Sequence, residues 1–130
     1  MKYWLTPPDV YNPLNDEFQF DFDPCPCPRP EGYNSLEIPW GKMNYVNPPF
    51  RPADGVNNLG PTAFVRKAIA EKADGKSSVI LIPTQSYVNL LLEAGAELRS
   101  MGRVRWLEVE TGEPMKGPSP ITAFILRGVA

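Results

Sequence analysis

Met43-Asn44-Tyr45-Val46-Asn47-Pro48-Pro49-Phe50 sets the frame for this 130-residue chain. The short run Met43 to Val46 reads as a strand that ends at Asn47, because Pro48 and Pro49 lack N–H donors and hold restricted backbone angles. The strand therefore delivers an amide, two rigid residues and an aromatic ring to its carboxyl end. Downstream, Ser78 to Ile82 is a continuous apolar run of the kind found in a buried parallel strand. Between the two, Pro61-Thr62 opens a helix with Phe64, Val65, Ala68 and Ile69 on one stripe. It ends near Asp74-Gly75, where glycine supplies a left-handed cap.

The remaining elements extend this unit in both directions. Thr6 caps a short helix whose first turn carries Pro7, Pro8 and Asp9, and Pro13 limits it to about two turns. Phe18 to Asp23 reads as strand, with Phe18, Phe20 and Phe22 alternating against Gln19, Asp21 and Asp23. From Pro24 to Pro30 every second residue is proline, which removes alternate backbone donors, so residues 24–42 are mainly loop. Residues 51–60, rich in Gly, Pro and Asn, form another loop. Ser86 to about Arg99 reads as helix with an interruption at Gly95, and Val104 to Val109 and Ile121 to Leu126 read as strands. The expected fold is a three-layer α/β domain spanning residues 1–130, with a trimmed sheet of about five strands whose last two form a hairpin.

Composition narrows the function classes. No run approaches the ~20 apolar residues needed to span a membrane, so a soluble, intracellular protein with no membrane partner is expected. There is no histidine, which removes the commonest general base and every Ser-His or Cys-His pair. Cys25 and Cys27, spaced as Cys-Pro-Cys, fall short of a tetrahedral zinc set, so no metal is expected. Both are expected as reduced thiols packed as small apolar groups.

Charge is uneven. Residues 1–40 carry two basic side chains against seven acidic ones, a balance of −5, whereas residues 41–130 carry eleven against eight, a balance of +3. Arg51, Arg66, Lys67, Lys72, Arg99, Arg103, Arg105 and Lys116 supply charge that can neutralise phosphates. Arg51 stands apart because it directly follows Phe50.

The tetrad Asn47 to Phe50 suits one substrate chemistry. The Asn47 side-chain oxygen and the Pro48 carbonyl can each accept a hydrogen bond from a single exocyclic amine, orienting its nitrogen lone pair. Phe50 can stack on the face of an extruded base, whose removal from a duplex costs a few kcal/mol and is offset by such contacts. Further segments stand in order around the tetrad: Trp4-Leu5-Thr6-Pro7-Pro8-Asp9-Val10, Phe18 to Asp23 followed by Pro24-Cys25, Trp40, Phe64-Val65-Arg66-Lys67-Ala68, and Val79-Ile80-Leu81-Ile82-Pro83.

With these segments the chain resembles the phage-type DNA N6-adenine methyltransferases, a small Dam-like family, over most of residues 4–127. The resemblance implies a reduced Rossmann-like methyltransferase sheet, with a final strand inserted antiparallel beside its neighbours. It also implies S-adenosyl-L-methionine as cofactor and DNA as partner. Asn47, Pro48, Pro49 and Phe50 become the catalytic set, and methyl transfer proceeds by direct in-line displacement at the adenine N6. The cofactor set is Trp4, Thr6, Pro7, Asp21, Asp23, Pro24 and Cys25, with Thr6 and Pro7 under the methionine end, and Glu37 a further ribose candidate. Arg51, Arg66 and Lys67 would contact DNA. A phage-encoded protein in the bacterial cytoplasm, monomeric or weakly dimeric, follows from the same likeness.

The chain departs from larger enzymes of this kind in two ways. Only 23 residues separate Asp23 from Asn47, and Asp23-Pro24-Cys25-Pro26 stands where they have a glycine-rich turn. Three alternatives stay open: a cytosine-N4 methyltransferase, a catalytically inactive relative that binds DNA or cofactor, and an interaction module whose proline-rich stretch 24–39 docks as an extended helix.

Overall fold

A computed structural model describes residues 4–26, 32–48, 61–83, 87–117 and 119–129. In chain order the elements are β1 (Trp4–Leu5), α1 (Pro8–Phe18), β2 (Met43–Val46), α2 (Pro61–Ala73), β3 (Ser77–Pro83), α3 (Val88–Glu93), β4 (Glu97–Val104), β5 (Leu107–Glu108) and β6 (Ser119–Leu126). A short 3-10 turn, Ser35–Glu37, lies in the long loop before β2 and is capped by the Asn34 side chain, which accepts from Leu36 N at 3.0 Å.

Four strands form an open mixed sheet in the order β2-β3-β6-β4. β2 and β3 run parallel, with Tyr45 beside Val79 and Val46 beside Ile80. β6 is antiparallel to both β3 and β4, so it runs against two strands of common direction. Phe22 adds a single parallel bridge to Asn44 at the β2 edge. β1 and β5 form a separate two-stranded ribbon, Trp4 opposite Glu108 and Leu5 opposite Leu107. The fold is thus α/β, as the pattern predicts.

Side chains alternate across a strand, and the two faces of β3 and β6 build two cores. Val79, Leu81, Ile121, Ala123 and Ile125 pack with Tyr45, Trp106 and Leu14 of α1. Ile80, Ile82, Phe124 and Leu126 pack with Val46, Trp40, α2 through Phe64, Val65 and Ala68, and α3 through Leu91. Each large aliphatic or aromatic group buried here contributes about 1.5–3 kcal/mol, so the central strands dominate the stability. The expected stripe on α2 and its cap both form: Gly75 is left-handed (φ 84°) and Lys76 N reaches Glu71 O at 3.1 Å.

Several readings from the pattern are corrected, beginning with the sheet, which has four strands and a separate two-stranded ribbon in place of about five strands ending in a hairpin. Pro13 does not stop α1, which runs eleven residues to Phe18. Its apolar face of Val10, Tyr11, Leu14 and Phe18 packs on the sheet and outweighs the roughly 3 kcal/mol that an internal proline costs. Thr6 does not cap α1: Pro7 holds that position with no side-chain bond, and the Pro7 carbonyl accepts from Val10 N and Tyr11 N at 3.0 Å.

Phe18 to Asp23 is not a strand. Gln19 is left-handed (φ 54°), and Asn15 holds the turn through its carbonyl to Gln19 N (2.8 Å) and its side chain to Phe20 N (3.1 Å). Phe20 then packs on the α1 side of the sheet and Phe22 on the other.

The helix from Ser86 to Arg99 shrinks to α3. Gly95 (φ 86°) reverses the chain, and Ala96 N bonds Leu91 O at 3.0 Å, so Glu97 onward becomes β4. The expected strand Val104 to Val109 splits between β4 and β5. The antiparallel pair at the chain's end is consequently β4 with β6, while β5 leaves to meet β1.

Candidate active site

Parallel pairing sends the carboxyl ends of β2 and β3 to one edge of the sheet, the edge where open α/β sheets bind ligands. Asn47 and Pro48 stand there directly after β2, Asn47 half-buried and Pro48 buried. Asn47 Nδ2 donates to Thr6 Oγ1 at 3.5 Å, and Thr6 Oγ1 is hydrogen-bonded to Tyr45 Oη. Among the described residues no hydrogen bond engages Asn47 Oδ1. Thr6 lies between β1 and α1, so the β1–β5 ribbon carries it to the end of β2.

Tyr45 anchors this cluster. It is 4% exposed and its ring packs edge-on against Tyr11 at 4.9 Å and against Phe20 at 5.1 Å. Burial raises its phenol pKa far above the ordinary value; the Thr6 bond opposes this, and the negative charge of Asp23 adds to it. Tyr45 is therefore a neutral hydrogen-bonding group at physiological pH and no general base.

Two carboxylates precede β2 and differ in role. Asp21 accepts from Met43 N at 3.0 Å and Lys42 N at 3.2 Å, tying down the start of β2. A side chain at Gly41 would collide with Asp21 Oδ1 and with Phe22 Cβ, so glycine is required for this approach. Asp23 keeps an exposed side chain amid surrounding protein, and that desolvation raises its carboxyl pKa against the opposing bond from Cys25 N (2.8 Å to Oδ1). Tyr11 and Tyr33 are also raised, first by burial and then by the Asp23 charge, so that three phenols, Tyr45 included, feel this carboxylate.

The start of the proline-rich segment is tied to the turn at Ser35. Ser35 Oγ donates to Pro24 O at 2.6 Å, and Ser35 O accepts from Trp40 Nε1 at 3.0 Å. Trp40 is a core residue, 4% exposed, and its N–H reaches the buried Glu71 at 3.2 Å. Cys25 is half-buried against the same core.

Of the residues expected from sequence, the structure brings Thr6 and Asn47 into contact, with Asp23 and Cys25 within electrostatic reach of Tyr45. Pro7 caps α1 beside them, and Pro24 faces Ser35. The Trp4 backbone lies in β1. Pro49, Phe50, Arg51 and Cys27 lie outside the described residues. Arg66 is exposed on α2, whereas Lys67 pairs with Glu71 at 3.0 Å. Arg99 forms a two-pronged bond to Glu17 (2.7 and 3.0 Å), and Arg105 donates to the Met115 and Lys116 carbonyls. The basic groups after the tetrad thus serve several local purposes.

Tyr45, Tyr11 and Tyr33 were not flagged by the sequence pattern. The one available signal was a phenol inside the apolar run that leads to Asn47. An open groove of about 460 Å³ between α1 and β4, lined partly by Asp9, Glu17, Arg99 and Arg103, contains none of the residues expected to be catalytic or to hold the cofactor. Among the described residues there is no cluster of three or more metal-ligating side chains, and no helix long and apolar enough to cross a membrane. Comparison of the chain with family models, curated proteins and solved structures finds no match.

Proposed function

We propose that the protein methylates the N6 amino group of adenine in DNA, using S-adenosyl-L-methionine. The observation that carries this reading is the Asn47 amide at the carboxyl end of β2. Its nitrogen is engaged by Thr6, and its oxygen, engaged by no described residue, can accept a bond from an incoming amine. The sheet supports the reading, since β6 runs antiparallel between two strands of common direction, the ending expected of the resembling family.

The donor set fits the cofactor. Asp23 presents an exposed carboxylate whose Oδ2 is engaged by no described residue, suited to an ammonium or ribose hydroxyl. When bound, the cofactor supplies a methyl group on a positively charged sulfur. The protein's own part is positioning and charge stabilisation. Asn47 Oδ1 and the Pro48 carbonyl accept the amine hydrogens, hold the nitrogen lone pair in the reacting direction and stabilise the positive charge that grows on the nitrogen. No protein nucleophile is required, in keeping with a chain without histidine. Arg66, exposed near the start of α2, offers a phosphate contact; the charge of Lys67 is shared with Glu71.

The test is methyl transfer from labelled S-adenosyl-L-methionine to mixed-sequence DNA, with digestion to nucleosides and Asn47→Ala as control. N6-methyladenine that disappears in the variant is the expected result. N4-methylcytosine would reassign the base. Absence of product together with a cofactor-dependent rise in melting temperature would assign a non-catalytic relative.

A further inference from the structure

We propose that Thr6 and Tyr45 are positioning residues that set which way the Asn47 side-chain amide points, an inference that rests on the function proposed above. The two ends of an asparagine amide are nearly identical in shape and opposite in hydrogen-bonding sense. With Oδ1 outward, Asn47 accepts from a base amine. Turned over, it would present N–H groups to N–H groups and repel the substrate.

The neighbours supply the choice. Asn47 Nδ2 reaches Thr6 Oγ1 at 3.5 Å, and the same oxygen is hydrogen-bonded to Tyr45 Oη. A threonine hydroxyl has one hydrogen and two lone pairs, and either hydroxyl of the Thr6–Tyr45 pair can be the donor. In the arrangement proposed here the Thr6 hydrogen goes to the Tyr45 oxygen, so that only lone pairs face Asn47 and Nδ2 is the end that complements them. Tyr45 cannot swing away, being 4% exposed between the rings of Tyr11 and Phe20. Thr6 is likewise held from both sides, by β1 against β5 and by α1. The family likeness alone would make Thr6 a cofactor contact; here its hydroxyl is engaged within the protein.

The experiment compares Thr6→Val, Thr6→Ser and Tyr45→Phe with the natural chain by two readouts: the side-chain amide NMR signals of Asn47, and steady-state methyl transfer. In Thr6→Val the Asn47 amide protons are expected to move toward the positions of an unbonded amide, and in Thr6→Ser to return. Loss of one such bond is expected to lower kcat roughly tenfold, with the cofactor KM changed less than about twofold. Tyr45→Phe should fall between, since Thr6 keeps its oxygen but loses the partner that orients it. Unchanged Asn47 signals in Thr6→Val would overturn the proposal. So would a raised cofactor KM at constant kcat, which would make Thr6 a ligand contact. If the natural chain transfers no methyl group, the proposed function fails on its own account, and the amide signals still uphold or overturn the orientation.

Discussion

Replacing Glu71 should separate two contributions that hold α2 to the site-bearing loop. The residue is 4% exposed, accepts from Trp40 N at 3.2 Å, and pairs with Lys67 at 3.0 Å and Lys76 at 3.2 Å. Burial would raise its pKa, but the hydrogen bonds from Lys67, Lys76 and Trp40 outweigh burial and hold it below the ordinary 4.5. Removing one partner of a fully buried ion pair costs about 3–5 kcal/mol because a charge is stranded. Here the lysine side chains are 23% and 25% exposed and can recover water, so each pair is worth about 0.5–1 kcal/mol. Glu71→Gln keeps an acceptor for Trp40 N and should cost about 1–2 kcal/mol. Glu71→Ala also strands that N–H, which adds about 1–3 kcal/mol, for a total of roughly 3 kcal/mol or more.

Because the folded-state pKa is lowered, the ionised carboxylate stabilises the fold fully above the ordinary value, and this stability is lost as pH falls through the folded pKa. Urea unfolding of the three proteins at pH 7 and near pH 3 is the assay. The deficit of Glu71→Gln should be full at neutral pH and shrink as pH falls toward the folded pKa, with Glu71→Ala lower at both. An alanine variant within about 0.5 kcal/mol of the natural chain would refute the reasoning, because that is the range of changes at uninvolved surface positions. A glutamine deficit that grows as pH falls would refute the electrostatic part.

Asp23 should behave with the opposite sign. Its pKa is raised above 3.8 by desolvation, so its effect on stability is most favourable below that value and weakens as pH rises through the folded pKa. Asp23→Asn, which keeps an acceptor for Cys25 N, should therefore melt higher than the natural chain at pH 7 and equally near pH 3, and should lose any cofactor-induced rise in melting temperature; a lower melting temperature at pH 7 would contradict the desolvation. Gly128→Ala would drive a methyl group into the Gly75 backbone and to within 2.6 Å of Lys76 N, so a loss of about 1–3 kcal/mol is expected in denaturant melts. Gly117→Ala, with open space around it, is the control and should stay within about 0.5 kcal/mol.

The sequence alone determined β2, α2, β3 and the body of β6, because each is a local apolar pattern whose period and end signals agree. It also determined that Asn47 and Pro48 follow a strand, since two prolines can only end one. The early and middle segments needed the folded chain. Pro13 sits in a helix that the sheet face holds together, Phe18 to Phe22 imitate a strand while serving two different cores, and a single left-handed Gly95 turns helix into the edge strand β4. The site divides in the same way. The amide at the end of β2 is legible from eight consecutive residues, but its engagement by Thr6, 41 residues earlier, is not. Nor does any local window show that Tyr11, Tyr33 and Tyr45 feel the Asp23 charge. These contacts arise when the β1–β5 ribbon and α1 close over the sheet edge. Periodicity reports which face a residue buries, and only tertiary packing decides which distant polar group meets it there.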